Sequence, residues 1–282
     1  MAARIIDGKA VGAAVRARVA EEVKAFAAER GRTPRLVTVI VGDDPASEIY
    51  VRSKHRACEE AGIRSAHHGL PTETSENELL ELVAELGLDR DVDGILVQLP
   101  VPDHIDPDRV VAALDPAKDV DGLTPLNAGL LAHGMEGLVP CTPVGVMELL
   151  RTEEVELAGA DAVVVGRSKL VGVPLARLLL QANATVTMCH SRTRDLAGVC
   201  RRADVLIAAA GSPGLIGGDA IKPGAVVIDV GTNRTDDGLR GDVDFDTAVE
   251  VASAITPVPG GVGPMTIAML LVNTLAAARA RV

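Results

Sequence analysis

Tyr50 and Lys54 stand four residues apart in Ser47-Glu48-Ile49-Tyr50-Val51-Arg52-Ser53-Lys54, so one turn of helix puts a phenol and an amine on the same face. Such a pair can pass protons. In water both groups hold theirs at neutral pH, so acid/base work requires a pocket that retunes at least one of them. Two further side chains suit work beside a lysine. Gln98 ends an apolar run with an amide that both donates and accepts, fit to hold an amine or orient a water. Asp121, in Lys118-Asp119-Val120-Asp121-Gly122, offers a carboxylate to the donor edge of an amino-pyrimidine-like ring. Asp119 reads as a cap or salt-bridge partner, and Asp43 and Asp44 as turn formers. Taken singly, each of these residues fits a structural role equally well.

A second group of residues suits a dinucleotide. Gly166-Arg167-Ser168 follows a buried apolar run and Gly172 precedes a helical one, which resembles the glycine-rich turn that seats a pyrophosphate on a helix N-terminus. Ser168 stands where the second glycine of G-x-G-x-x-G belongs, so an ordinary β-to-α turn is the competing reading. The next strand ends in His190-Ser191-Arg192-Thr193, where an NAD site would place a carboxylate for the ribose hydroxyls. Ser191 and Arg192, with Arg167, suit the extra phosphate of NADP instead, the alternative being solvated surface arginines. Pro257-Val258-Pro259-Gly260-Gly261-Val262-Gly263-Pro264 is a stiffened, close-approach loop that reads either as a lining for a gap between domains or as a hinge.

The elements that must position these groups alternate. Val11, Val15, Val19 and Phe26 recur at helical spacing, predicting a helix over residues 8–30 that stops at Gly31. A strand over 36–41 leads through a loop to the helix of Tyr50 and Lys54, capped by Ser47 and closed at Gly62. Ser75 and Glu78 make a capping box for a helix over 76–86, and a strand over 92–99 ends at Gln98-Leu99-Pro100. From Ala162 the alternation tightens into strands 162–165, 184–189, 205–209 and 225–230, a Rossmann-type series. Pro264 is placed as the first residue of a last helix. The expected fold class is α/β: two α/β domains with a cleft between them, the second a Rossmann-type domain with a parallel sheet. Residues 1–143, completed by the helix over 264–282, form the first domain and 144–263 the second. Ligands of such sheets gather beyond the carboxyl ends of the strands, where Gln98, Leu99, Pro100 and Asp121 fall.

Composition excludes other classes. A net charge of −11 argues against nucleic acid, whose phosphates need clustered lysine and arginine. Trp 0, Tyr 1 and Phe 2 rule out aromatic stacking as the main binding device. Cys58, Cys141, Cys189 and Cys200 lack C-x-x-C spacing, and the histidines form no H-E-x-x-H, so neither a zinc site nor a disulfide framework is expected. A reducing cytosol fits best. Neither an export signal nor a membrane span is expected, since the N-terminus lacks an apolar h-region and Asn273 and Arg279 interrupt the apolar run after Pro264.

Six motifs in order carry a resemblance over essentially the whole chain: Tyr50-Val51-Arg52-Ser53-Lys54, Asp93-Gly94-Ile95-Leu96-Val97-Gln98-Leu99-Pro100, Lys118-Asp119-Val120-Asp121-Gly122, Pro140-Cys141-Thr142-Pro143, Gly166-Arg167-Ser168, and Pro259-Gly260-Gly261-Val262-Gly263-Pro264-Met265-Thr266. The chain resembles the bifunctional methylenetetrahydrofolate dehydrogenase/methenyltetrahydrofolate cyclohydrolases. The resemblance implies NADP-dependent oxidation of 5,10-methylenetetrahydrofolate and hydrolysis of the methenyl product to 10-formyltetrahydrofolate. It implies that Lys54 is the main catalytic residue, that Tyr50 shapes and stacks on the folate site, that Gln98 supports Lys54 and that Asp121 holds the pterin. Leu99, Pro100, Pro259, Gly260 and Gly261 then fall beside the substrate. Gly166, Arg167, Ser168, Ser191, Arg192 and Thr232 fall with NADP, and the family is usually a homodimer joined through the cofactor domain. Thr232, where the family often has a branched apolar residue, and Lys169, Leu170 and Val173 depart from the family pattern and bear on the margin of NADP over NAD. A single-activity relative is the nearest rival. Short-chain dehydrogenases share the Tyr-x-x-x-Lys spacing, but there the pair follows the dinucleotide turn, whereas here Lys54 lies 112 residues ahead of Gly166.

Overall fold

The computed structural model describes residues 2–42, 45–236 and 238–281, with the side chains of 45–50 outside the description. In chain order the elements begin with a two-residue strand β1 (Arg4–Ile5) and a long helix α1 (Gly8–Arg30), whose Val15, Val19, Val23 and Phe26 are buried at helical spacing. There follow β2 (Arg35–Val41), α2 (Pro45–Glu60), β3 (Arg64–Leu70), α3 (Glu76–Leu88), β4 (Gly94–Val97), α4 (Pro107–Ala113), α5 (Pro125–His133) and α6 (Cys141–Thr152). The second half runs β5 (Asp161–Val165), α7 (Gly172–Gln181), β6 (Thr185–Cys189), α8 (Leu196–Cys200), β7 (Val205–Ala208), β8 (Val226–Asp229), a hairpin β9 (Asn233–Thr235) and β10 (Gly238–Arg240), α9 (Phe245–Ala248), β11 (Ala254–Ile255) and α10 (Val262–Ala280).

Two compact units result: Ala13–Cys141 with Ile267–Val282, here the first unit, and Met1–Gly12 with Thr142–Thr266, the second. The first carries a parallel sheet of order β3-β2-β4. Every residue of β4 and all but the first of β2 are buried, the near-continuous apolar run of a strand covered on both faces. Val37, Val39, Ile95 and Val97 of that sheet pack on Leu79, Val83 and Leu86 of α3. The capping box of α3 is present, with Ser75 Oγ accepting from Glu78 N and Glu78 Oε2 accepting from Ser75 N at 2.8 Å. Asp93, fully buried ahead of β4, accepts both guanidinium nitrogens of Arg32 at 2.7 and 2.9 Å, so this motif residue is a structural anchor.

The second unit carries a parallel sheet of order β1-β11-β8-β7-β5-β6. Its core is Val163, Val165, Leu206, Ala208, Val227 and Ile255 with small residues between them. Here the expected boundary is corrected: residues up to Gly12 belong with the second unit, because β1 pairs with β11, Arg4 opposite Ala254 and Ile5 opposite Ile255. A two-residue strand has no periodicity to read. Two helix starts also differ from expectation. Since α2 begins at Pro45, Ser47 lies inside its first turn, and since α10 begins at Val262, Pro264 is its third residue. The apolar composition of α10 has a use in packing: Met265, Met269, Leu270, Leu271 and Leu275 are all buried. Asp43 and Asp44, read as turn formers, lie outside the described residues.

Candidate active site

In the first unit, three sequence-selected residues come together. Lys54, in the middle of α2, is 6% exposed, and its Nζ donates to Gln98 Oε1 at 2.9 Å. Gln98 follows β4, and its Nε2 donates to Leu99 O at 2.8 Å, which fixes which amide end faces the lysine. A neutral acceptor satisfies the amine without the ion-pair preference a carboxylate would impose. Leu99 is half-buried and Pro100, joined to it by a cis peptide bond, is exposed. Tyr50 occupies its expected place on α2 one turn before Lys54, and its side chain lies outside the described residues.

Asp121 reaches this corner through packing. Gly94 has no side chain, and a Cβ there would collide with Val120, so the Asp119–Asp121 segment lies against β4. Ile95 N donates to Lys118 O at 2.7 Å, and Ile95 bridges Asp119 in parallel. Burial raises the Asp121 carboxyl above its ordinary range. The Lys54 charge opposes this, Asp119 adds to it, and the neighbouring Cys141 thiol opposes it. The other two polar residues of this motif are structural. Lys118 Nζ donates to Leu86 O and Asp89 O at 2.9 and 2.6 Å, closing the end of α3. Asp119 Oδ2 accepts Thr124 N and Asn127 Nδ2 at 2.7 and 3.1 Å, where α5 starts.

Sequence reasoning missed Asn273. Its Nδ2 donates to Val120 O and Val139 O, both at 2.8 Å, and so ties the backbone on either side of this corner to α10. Cys141 Sγ donates to the same Val120 oxygen at 3.3 Å, and burial pushes its thiol well above the usual range. A lone amide interrupting an apolar helix was the available signal.

In the second unit, Gly166 leaves β5 at φ 134, and a Cβ there would collide with the carbonyl of Ala209, beyond β7. Only glycine combines that φ with that approach. Gly166 N donates to Cys189 O at 2.9 Å, and Ser168 Oγ accepts Val171 N at 3.1 Å, closing the turn into α7. Val171 at the N-cap of α7 makes no side-chain cap bond; Ser168 takes the first amides of the helix instead, its Oγ accepting Gly172 N at 3.5 Å and its carbonyl accepting Val173 N at 3.1 Å, and no acidic residue stands in the first turn to oppose an anion. Arg167 and Ser168 are exposed on this turn, Ser191 and Arg192 are exposed past the adjacent strand β6, and Thr232 is exposed past β8. His190 N donates to Thr193 Oγ1 at 2.9 Å and Arg192 N to His190 Nδ1 at 3.1 Å, shaping the β6 turn. The first carboxylate after β6, Asp195, is committed to capping α8, accepting Gly198 N at 3.0 Å. These residues fit NADP: a tight turn, a first helical turn free of carboxylates, and arginines where a ribose-binding carboxylate would exclude the extra phosphate.

Pro259, Gly260 and Gly261 follow β11 and belong to this second unit as well. Gly261 N donates to Pro257 O at 2.8 Å, Gly261 is buried beneath Gly8, and Pro259 is exposed. The substrate set chosen from sequence therefore divides, with Lys54, Gln98, Leu99, Pro100 and Asp121 in one unit and Pro259, Gly260 and Gly261 in the other.

The tetrahydrofolate dehydrogenase/cyclohydrolase catalytic domain matches residues 6–121, and the NAD(P)-binding domain of the same family matches residues 140–282. The chain is 61% identical over 280 residues to "Bifunctional protein FolD 2" of Frankia alni, covering 99% of this chain and 97% of that one. It is 62% identical over 284 residues to "Bifunctional protein FolD" of Sorangium cellulosum, covering 100% and 99%. Among solved structures, the bifunctional FolD enzyme of Campylobacter jejuni superposes with a TM-score of 0.97 at 48% identity, covering 100% of both chains. The Trypanosoma brucei dehydrogenase-cyclohydrolase, complexed with NADP cofactor and inhibitor, does so at 0.94 and 42%, covering 99% and 98%. With both domains matched and relatives aligned end to end, the chain belongs to the tetrahydrofolate dehydrogenase/cyclohydrolase family.

Proposed function

We propose that the protein is a bifunctional, NADP-dependent methylenetetrahydrofolate dehydrogenase and methenyltetrahydrofolate cyclohydrolase. The observation that carries the reading is the pairing of a buried Lys54 with the half-buried Gln98, with Asp121 beside it, in a chain whose other unit presents an NADP-type turn. Bound NADP supplies the hydride acceptor for oxidation of the 5,10-methylene bridge to methenyl. Asp121 accepts from the donor edge of the pterin and so sets the ring's orientation. Lys54, aimed by Gln98, manages the proton when water adds to the bridging carbon. The bond from that carbon to N5 then breaks, N5 is left as N–H, and 10-formyltetrahydrofolate and one net proton are released. Leu99 and Pro100 wall the same site.

Lys54→Gln is expected to slow hydrolysis by about 100-fold while NADP affinity stays within about two-fold. A coupled assay with methylenetetrahydrofolate and NADP, following reduced cofactor and methenyl absorbance together, checks both activities. Methenyl substrate left at its spontaneous rate by the wild type would leave only a dehydrogenase, and an equal loss of NADP affinity in Lys54→Gln would contradict the assignment of that residue to folate.

The same reading includes a homodimer joined through the second unit, in the cytosol. Support for the dimer comes from Val173 and Leu180 on α7, 43% and 52% exposed, beside Met188 on the edge strand β6, 36% exposed. The four free, buried cysteines support a reducing compartment.

A further inference from the structure

Between β10 and α9 the chain passes Gly241-Asp242-Val243-Asp244, and Asp242 is fully buried. Its Oδ2 accepts Ala210 N at 2.6 Å and Gly211 N at 2.9 Å, and its Oδ1 accepts Ser212 N at 2.8 Å and Asn233 Nδ2 at 2.9 Å. One side chain thus holds the loop that leaves β7 and Asn233, the first residue of β9, which follows Thr232. A second carboxylate fixes the first. Asp229, 4% exposed at the end of β8, accepts Gly231 N and Asp242 N on Oδ1 at 2.9 and 3.0 Å, and Val243 N on Oδ2 at 2.9 Å. Gly214 N to Gly241 O and Ile216 N to Asp242 O, at 3.1 and 3.0 Å, lay this strap along the β7 loop.

The place matters because of strand order. From β5 the chain runs to β6 on one side and then crosses to β7 on the other, so the sheet's switch point lies between the carboxyl ends of β5 and β7. Dinucleotides bind at such a point. The turn at Gly166 rests there directly on Ala209, one residue before the amides that Asp242 holds. Four N–H groups converging on two oxygens require a side chain that accepts everywhere and donates nowhere, and a carboxylate meets this where an amide would turn its own N–H groups against two of them.

We propose that Asp242 is a positioning residue for NADP: by holding Ala210, Gly211, Ser212 and Asn233 it fixes the floor beneath the Gly166 turn and the approach of Thr232, with Asp229 holding Asp242 in turn. The proposal rests on the second unit binding NADP, which the wild-type titration measures separately. Calorimetric titration of Asp242→Asn with NADP is expected to show affinity weakened by roughly ten-fold or more, the loss of charge-assisted hydrogen bonds. Hydrolysis of methenyltetrahydrofolate without NADP is expected to stay within about two-fold, as for sites that share no partners. Amide exchange should quicken at Ala210–Ser212 while β5 and β7 stay protected. Asn233→Ala removes one donor and leaves the carboxylate, and is expected to weaken NADP about three-fold with an unchanged melting temperature. Wild-type NADP affinity in Asp242→Asn overturns the proposal, as does exchange that quickens across the whole sheet. If Asp242→Asn does not fold, unchanged affinity in Asn233→Ala overturns it. A wild type that binds no NADP sinks the cofactor assignment itself.

Discussion

In the proposed site Asp121 accepts from two donors on the pterin edge only when ionised, since the protonated acid turns one oxygen into a donor, yet its burial favours that acid. Its carboxyl is raised, so it takes up a proton at higher pH than an ordinary aspartate, whose reference value is about 3.9. The ionised form is present above the shifted value and lost as pH falls through it. The KM for methylenetetrahydrofolate is therefore expected to rise on acidification starting above the usual carboxylate range, and Asp121→Asn should raise KM about ten-fold at neutral pH and flatten that limb. Steady-state KM measured against pH checks this, and an Asn variant with the same acid limb would point to another group. At this scale the sequence was legible in side-chain chemistry and blind to satisfaction. Gln98 read as an amide fit to hold an amine, and it does accept from Lys54. Asp119 read as a cap and accepts at the start of α5, but nothing in the letters showed Asp93 and Lys118 of the same motifs to be spent on Arg32 and two helix-end carbonyls. Asp242 reads as one more surface charge until its four donors are placed.

Among the elements, α10 does more than cover a core. Through Asn273 it holds the carbonyls of Val120 and Val139 and with them the backbone that presents Asp121. Asn273→Leu keeps the apolar face and removes both bonds. It is expected to cost about 2 kcal/mol of stability, from two lost bonds that leave Val139 O unpaired and Val120 O with the Cys141 thiol alone, and to raise the folate KM several-fold by the displacement of one pterin contact, with NADP affinity unchanged. Urea unfolding and paired titrations check this, and a normal folate KM at reduced stability would confine Asn273 to the fold. Long elements with a strong period were legible, as in α1 over Gly8–Arg30 and α3 with its capping box. Helix starts came three residues early at Ser47 and two early at Pro264, since a capping type or a proline fits more than one position of a first turn. The short strand β1 escaped because only its partner β11 defines it.

For the molecule as a whole, the chain is acidic, yet it presents exposed arginines at both turns read as the cofactor site, Arg167 past β5 and Arg192 past β6. The proposed self-association draws on the neighbouring surface of α7 and β6. Sedimentation velocity is expected to give a dimer for the wild type and a monomer for Leu180→Glu, which places a charge in the apolar patch; a wild-type monomer would remove the dimer from the reading. The four thiols have a practical consequence. Burial raises all of them, Cys58 to about 12, Cys200 to about 11, and Cys141 and Cys189 in the same direction. The thiolate is the reactive form, so alkylation waits for local opening. Cys58 and Cys141 lie in one unit and Cys189 and Cys200 in the other. In a chain with Trp 0 and Tyr 1, nearly silent to intrinsic fluorescence, timed labelling read by peptide mass becomes a two-channel clock that records the breathing of each half separately.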